Sequence, residues 1–175
     1  PFSNGQGYNT FVAVPAQMVI MVYGAERGGG WSMVAADNSA LTRSGATLND
    51  PIAPNDNYPV WLNGESVKPS EAKFVNGWQV ISIQMNGLGF RGLGFKNVLG
   101  VTTDFGGQDY AEVLVFTNAV SDRVRCEVET YLAKKWGIAG YSAAAMAQVE
   151  AAKTTVNASR SLRNRLGKQL RCHKM

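Results

Sequence analysis

Two carboxylates one residue apart, Glu127 and Glu129, are the closest this sequence comes to the acid and nucleophile of a glycosidase. They fall where apolar residues recur with helical spacing, and there neighbours two apart point in different directions, so the pair cannot face one sugar. Glu112 stands alone in a strand pattern, with Asp109 in the loop before it. The single histidine, His173, is third from the end of a tail of different composition, an unsuitable place for a Ser-His-Asp relay. No catalytic residue is assigned, and the chain is expected not to be an enzyme.

Binding chemistry has two candidate sets. Lectin-like sites stack an aromatic ring on a sugar face and add amide or carboxylate hydrogen bonds, often beside calcium. Tyr58 and Trp61, near Asn55, Asp56 and Asn57 in the polar loop 49–59, form the first set. Asp104 and Asp109, around Gly106-Gly107, form the second, and calcium is the ion those oxygens would take; no other cofactor is implied. Ordinary turn chemistry also accounts for each of these Asp and Asn residues, and packing accounts for Trp61, Trp78 and Trp136. The glycine run 28–30 lacks the Lys-Ser/Thr ending and following helix of a phosphate loop. One histidine and two distant cysteines, Cys126 and Cys172, exclude a structural zinc site; the cysteines could pair or remain free.

Charge is distributed unevenly. Residues 1–143 carry ten Lys/Arg and twelve Asp/Glu, whereas residues 144–175 carry seven and one. The net charge of +4 therefore belongs to the tail. Arg160, Arg163, Arg165, Lys168 and Arg171 accompany Leu162, Leu166 and Leu170 at helical spacing. That pattern suits a helix docking on a protein partner. The absence of interleaved aromatics argues against nucleic acid.

The elements that must position these residues read as strands. At 175 residues the chain is long enough for one substantial core with an appendage, and 45% hydrophobic content with 19 glycines suits a turn-rich β protein. No apolar run approaches the ~20 residues of a membrane helix. Strand patterns are expected at Thr10–Val14 and Gln17–Tyr23, separated by Pro15, then at Trp31–Ala36 and Ala40–Leu48. Val60–Leu62 and Glu65–Val67 flank Asn63-Gly64, the dipeptide of a tight hairpin. Trp78–Met85 ends at a second Asn-Gly, 86–87, and Val98–Val101 is a short strand. The last strand is 110–117, apolar on both faces and so expected to be covered on both. Ser121-Asp122 then starts a helix that Gly137 stops. Its inward stripe is expected to be Val124, Val128, Tyr131, Leu132 and Lys135/Trp136, with Arg125, Cys126 and Glu129 outside it. Residues 1–142 thus form an all-β domain with a short capping helix, and residues 143–175 a basic helical extension.

The run from Tyr110 to Gly137 resembles the closing signature of concanavalin A-like lectin/glucanase domains of the laminin-G-like, bacterial and phage type. It carries Tyr110, Ala111, Glu112, Val113, Leu114, Val115 and Phe116, then Val120, Ser121 and Asp122, then Tyr131, Leu132, Lys135, Trp136 and Gly137. The resemblance implies a jelly-roll β-sandwich. It also implies a recognition or structural module of a larger protein or particle, contacting glycan or protein through its loops, in a secreted, cell-surface or virion setting. The alternative is an assembly subunit docked through its basic tail, with sugar binding lost. Related glucanases carry an E-x-D-x-x-E pattern on one strand, which this chain lacks. Such domains usually open with a further N-terminal segment, and this sequence reads as starting downstream of it. The edge it would cover is expected to be met by the rest of a precursor or by another subunit, unless this family member is simply shorter.

Overall fold

The computed structural model of the chain describes residues 8–24, 34–36, 39–41, 56–74, 77–94, 96–98, 101–103 and 109–141. Two long strands form its centre, β1 (Tyr8–Gly24) and β6 (Trp78–Leu93), paired antiparallel from Gly24↔Trp78 to Tyr8↔Leu93. On the far side of β1 lies β9 (Asp109–Phe116), paired with Met18–Gly24. On the far side of β6, β4 (Val60–Leu62) pairs with its first half and β2 (Val34–Ala36) with its second. β3 (Ser39–Leu41) extends β2, and β5 (Glu65–Val67) extends β4, completing a seven-stranded antiparallel sheet. A separate ribbon joins β7 (Lys96–Val98) to β8 (Val101–Thr103). Helix α1 (Asp122–Trp136) covers one face of the sheet. The described chain is thus mostly antiparallel sheet with one helix.

Alternation sorts the core onto the two faces. Val19, Met21, Tyr23, Ile81, Ile83 and Met85 pack on one, with Phe74 over them. Met18, Ile20, Val22 and Val80 pack on the other, against Leu132 and Ala133 of α1 and Ile138 beyond it. Strands apolar on both faces need cover on both, as the pattern of β1 and β6 indicates.

Four strand expectations need correction. Val98 and Val101, expected in one short strand, instead end β7 and begin β8 and pair with each other. Pro15 does not divide β1, which runs through it with register shifts on either side. Because β9 begins pairing only at Met18, β1 has a side without a described neighbour at Pro15, and a missing N–H there breaks no ladder. Likewise, Asn86-Gly87 does not reverse the chain. Between the pairs Met18↔Gln84 and Ala16↔Leu88, β1 contributes one residue and β6 three, so the dipeptide forms a bulge. Its left-handed backbone, φ 53° and 86°, is the one an Asn-Gly hairpin would also use. Finally, β9 is covered on both faces but is the terminal strand of the sheet, with every residue half-buried. A register shift between Val22↔Glu112 and Tyr23↔Tyr110 bulges Ala111, so Tyr110 joins Val113 and Val115 on the face away from the helix.

Asn63-Gly64 does form the expected tight turn, with φ 50° and 87°. Asn63 also fastens that hairpin to β6: its N–H donates to the Val80 carbonyl (2.8 Å) and its Oδ1 accepts from the Val80 N–H (2.9 Å).

Helix α1 begins and ends where expected. The Ser121 hydroxyl accepts from the Val124 amide, and Gly137 stops the helix in the left-handed region, φ 63° and ψ 39°. The Ile138 amide then bonds back to Ala133, burying Ile138. The inward stripe is different from the expected one. Leu132 is buried, but Val124, Tyr131 and Trp136 are exposed, while Arg125, Cys126, Glu129, Thr130 and Ala133 face the sheet. Charged residues can do so here because Arg125 and Glu129 neutralise each other. The small Cys126, Thr130 and Ala133 also let the helix approach closely. Cys126 is a free thiol; Cys172 lies outside the described residues.

A Cβ at Gly137 would meet nothing within 4 Å, so the left-handed backbone is its only constraint. Gly137→Ala is expected to cost about 1 kcal/mol and Gly137→Asn less, read as a lower denaturation midpoint with unchanged slope.

Candidate functional site

Beneath α1 lies a buried polar cluster. The Nη1 of Arg125 donates to both oxygens of Glu129, at 2.8 and 2.9 Å. The Ser82 hydroxyl, from the middle of β6, donates to Oε1 at 2.6 Å, and the Tyr141 hydroxyl lies 3.3 Å from Oε2. Thr130 Oγ1 is also 3.3 Å from that hydroxyl. The guanidinium sits 4.3 Å over the Trp61 ring, and its Nε faces Asp122 at 3.6 Å. Ser82 is fully buried and Glu129 1% exposed, so this carboxylate is closed to any substrate. Burial opposes charge on Arg125, but the Glu129 hydrogen bond and charge outweigh it and its pKa is raised. Burial likewise pushes the Cys126 thiol and the Tyr141 phenol up, keeping both protonated.

A second interlock joins the end of α1 to β9. Glu112 Oε2 accepts from Lys135 Nζ at 2.8 Å and from the Trp136 indole N–H at 2.9 Å. These bonds, the Lys135 one foremost, hold the Glu112 carboxyl below the usual 4.5 and raise the Lys135 ammonium above its usual value. Glu112 is thereby a structural acceptor. Glu127 bonds to Arg123 on the outer surface, so the two acidic neighbours on the helix have separate partners.

The third feature lies at the sheet end nearest the end of α1. Gly24 closes β1, paired with Trp78 on one side and Asp109 on the other. A Cβ at Gly24 would stand 3.2 Å from Cζ3 of Trp78 and 3.3 Å from Cβ of Asp109. Glycine therefore leaves room for the indole and the Asp109 side chain on either side of this strand end. Trp78 remains 43% exposed. By strand parity this shelf is on the helix side of the sheet, beyond Glu112 and Trp136. A flat ring with an adjacent carboxylate can stack on an apolar sugar face and accept its hydroxyls.

The residues singled out in the sequence fall in three places. Asp56 ties its loop down: its two oxygens accept from the Ser70 amide and hydroxyl, each at 2.9 Å, and the backbone bond chiefly lowers its pKa. Tyr58 packs on the core face away from the helix, whereas Trp61 packs on the helix face, so the two rings share no surface. Asn57 is exposed at the turn before them. Pro59 bonds to Gln84, six residues from Trp78, which puts this loop ~20 Å along β6 from the shelf. Asp109 stands on the shelf. Asn55, Asp104 and the tail residues Arg160, Leu162, Arg163, Arg165, Leu166, Lys168, Leu170 and Arg171 lie outside the described residues. Among the described residues no group of three His, Cys, Asp or Glu could hold a metal ion, and no helix is long and apolar enough to cross a membrane. Sequence reasoning passed over Gly24 and Trp78; the available signal was a tryptophan opening a strand directly after Gly77. It also missed the buried Arg125–Glu129 pair, which the small residues Cys126, Thr130 and Ala133 on the same side of the helix announce.

Removing one member of a buried pair leaves the other unpaired. Glu129→Ala is expected to cost about 3–5 kcal/mol, and Arg125→Met with Glu129→Leu much less than Glu129→Ala alone, as measured by denaturant unfolding. The Glu112 interlock has its own pH dependence. A depressed carboxylate pKa contributes stability that is present above 4.5 and lost as pH falls below it through the folded value. Melting temperature should therefore drop on acidification below 4.5, and Glu112→Gln should shrink that drop.

No family model matches the chain, and no curated protein or solved structure does.

Proposed function

We propose that the chain is a non-catalytic recognition module of a larger protein or particle, built on a concanavalin A-like jelly-roll sandwich, that takes a saccharide on the Trp78 shelf. One observation carries this reading. An exposed tryptophan packs so closely on Gly24 that a Cβ there would stand 3.2 Å from its ring, and Asp109 flanks the same glycine from the other strand. Trp78 is 43% exposed, and an exposed indole can stack on a sugar face. The signature run Tyr110–Gly137 supports the sandwich, and the antiparallel sheet with its covering helix is compatible with it. The non-catalytic part of the reading draws on the carboxylates. Glu112, Glu127 and Glu129 are each held by a cation of the chain itself.

The assembly-subunit reading has one observation in its favour: among the described residues, no strand pairs with the outer edge of β9. The native mass of the chain from its own source tests this reading, since a free monomer would count against assembly.

Titrating the chain against an array of neutral and acidic oligosaccharides tests the binding reading directly. The expected result is a ligand that quenches tryptophan fluorescence and binds at least tenfold more weakly, about 1.4 kcal/mol, to Trp78→Ala. Gly24→Val, which displaces the ring, should weaken binding similarly. Ligand binding that Trp78→Ala leaves unchanged would remove the shelf from consideration.

A further inference from the structure

The shelf has a second ring beside it. Trp136, the last residue of α1, is 42% exposed, as open as Trp78. Its indole N–H donates to Glu112 Oε2 at 2.9 Å. The Lys135 ammonium, on the same carboxylate oxygen at 2.8 Å, stands 5.6 Å from the ring centroid. The N–H is thus occupied within the chain and offers a ligand nothing. What Trp136 does offer is exposed ring surface in a fixed orientation.

Strand register gives its place relative to Trp78. On β1, Gly24 is opposite Trp78, and Val22 is opposite both Val80 of β6 and Glu112 of β9. Trp78 and Glu112 are therefore two strands apart and two residues out of line, on the same face of the sheet. At ~4.8 Å between strands and ~3.4 Å per residue, their Cα atoms are ~12 Å apart. Between them β1 has Gly24, without a side chain, and Val22, which is fully buried. No exposed side chain of β1 therefore separates the two rings. A single pyranose ring covers one indole, and a span of this size needs several sugars in a row.

Resting on the shelf reading, in which Trp78 is the first platform, we propose that Trp136 is a second stacking platform of the same site. The ligand is then a linear oligosaccharide with one sugar ring on Trp78 and another, further along the same chain, on Trp136. Glu112 and Lys135 are positioning residues for the second platform: the carboxylate holds the indole by its edge, and the ammonium lies against it. The interlock ties the helix end to β9, and β9 pairs with the same β1 residues as the start of β6, so both platforms belong to one frame. A second sugar of the same chain then makes its contact without a second loss of translational freedom. The site selects for chain length.

Linear gluco-, xylo-, N-acetylglucosamine and uronic acid oligosaccharides, from disaccharide to hexasaccharide, test this. Affinity is expected to rise about tenfold or more along the series that binds. Trp136→Ala should abolish the rise and leave disaccharide affinity unchanged, which also reports an intact fold. Trp136→Phe, a ring without the N–H, should keep most of the rise. A readout on the unmodified chain covers the case in which Trp136→Ala fails to fold. There the hexasaccharide should shift the indole N–H resonances of both Trp78 and Trp136, and the disaccharide that of Trp78 alone. Three results would overturn the second platform while the shelf stands. They are Trp78-dependent binding that does not rise with length, a rise that survives Trp136→Ala or is lost equally in Trp136→Phe, and a Trp136 resonance that the hexasaccharide leaves in place. Binding to no member of any series would overturn the shelf and the second platform together.

Discussion

The contact on which the rest of this structure depends is the buried pair of Arg125 and Glu129 above Ser82. A helix that carries two charges toward a sheet is stable only where both are neutralised and bonded. The geometry that satisfies them is restrictive: Ser82 must be opposite Glu129, and Trp61 must lie under the guanidinium. Sliding α1 by one turn would separate all of these partners at once. An apolar interface of the same size would tolerate such a slide, because hydrophobic contacts have no direction. The pair therefore contributes position more than stability.

The helix is fixed a second time at its other end, where Lys135 and Trp136 share the Glu112 carboxylate. Two attachments a few turns apart leave α1 no freedom to rock on the sheet. The end of the helix and the end of β1 thus behave as one corner, and the shelf of Gly24, Trp78 and Asp109 belongs to that corner. If the shelf takes the saccharide proposed for it, a ring packed on backbone in this way would lose little conformational freedom on stacking.

What the sequence made legible was local. The Ser121 cap, the Gly137 stop and the Asn63-Gly64 turn depend on backbone preferences of the residues themselves, and each stands where it was expected. What it concealed were choices made by partners distant in sequence. Whether Arg125 and Glu129 face inward depends on Ser82, 47 residues from Glu129. Whether Pro15 breaks a strand depends on where β9 begins, and whether Asn86-Gly87 is a turn or a bulge depends on how far β1 continues. The shelf was hidden for the same reason. Gly24, Trp78 and Asp109 are unremarkable in isolation and become neighbours only through strand register.

The bulge at Asn86-Gly87 has a bearing on how this fold can vary. It divides β6 into two parts, one paired with β4 and the other with β2. A strand without a bulge would transmit the gain or loss of one residue along its whole length, turning every later side chain to the wrong face. Here the looped-out residues can take up such a change, so the half that bears Trp78 and Ser82 is insulated from alterations beyond residue 87. Lineages of this chain could therefore lengthen or trim the β2–β3 side of the sheet while the helix-bearing side stays in frame.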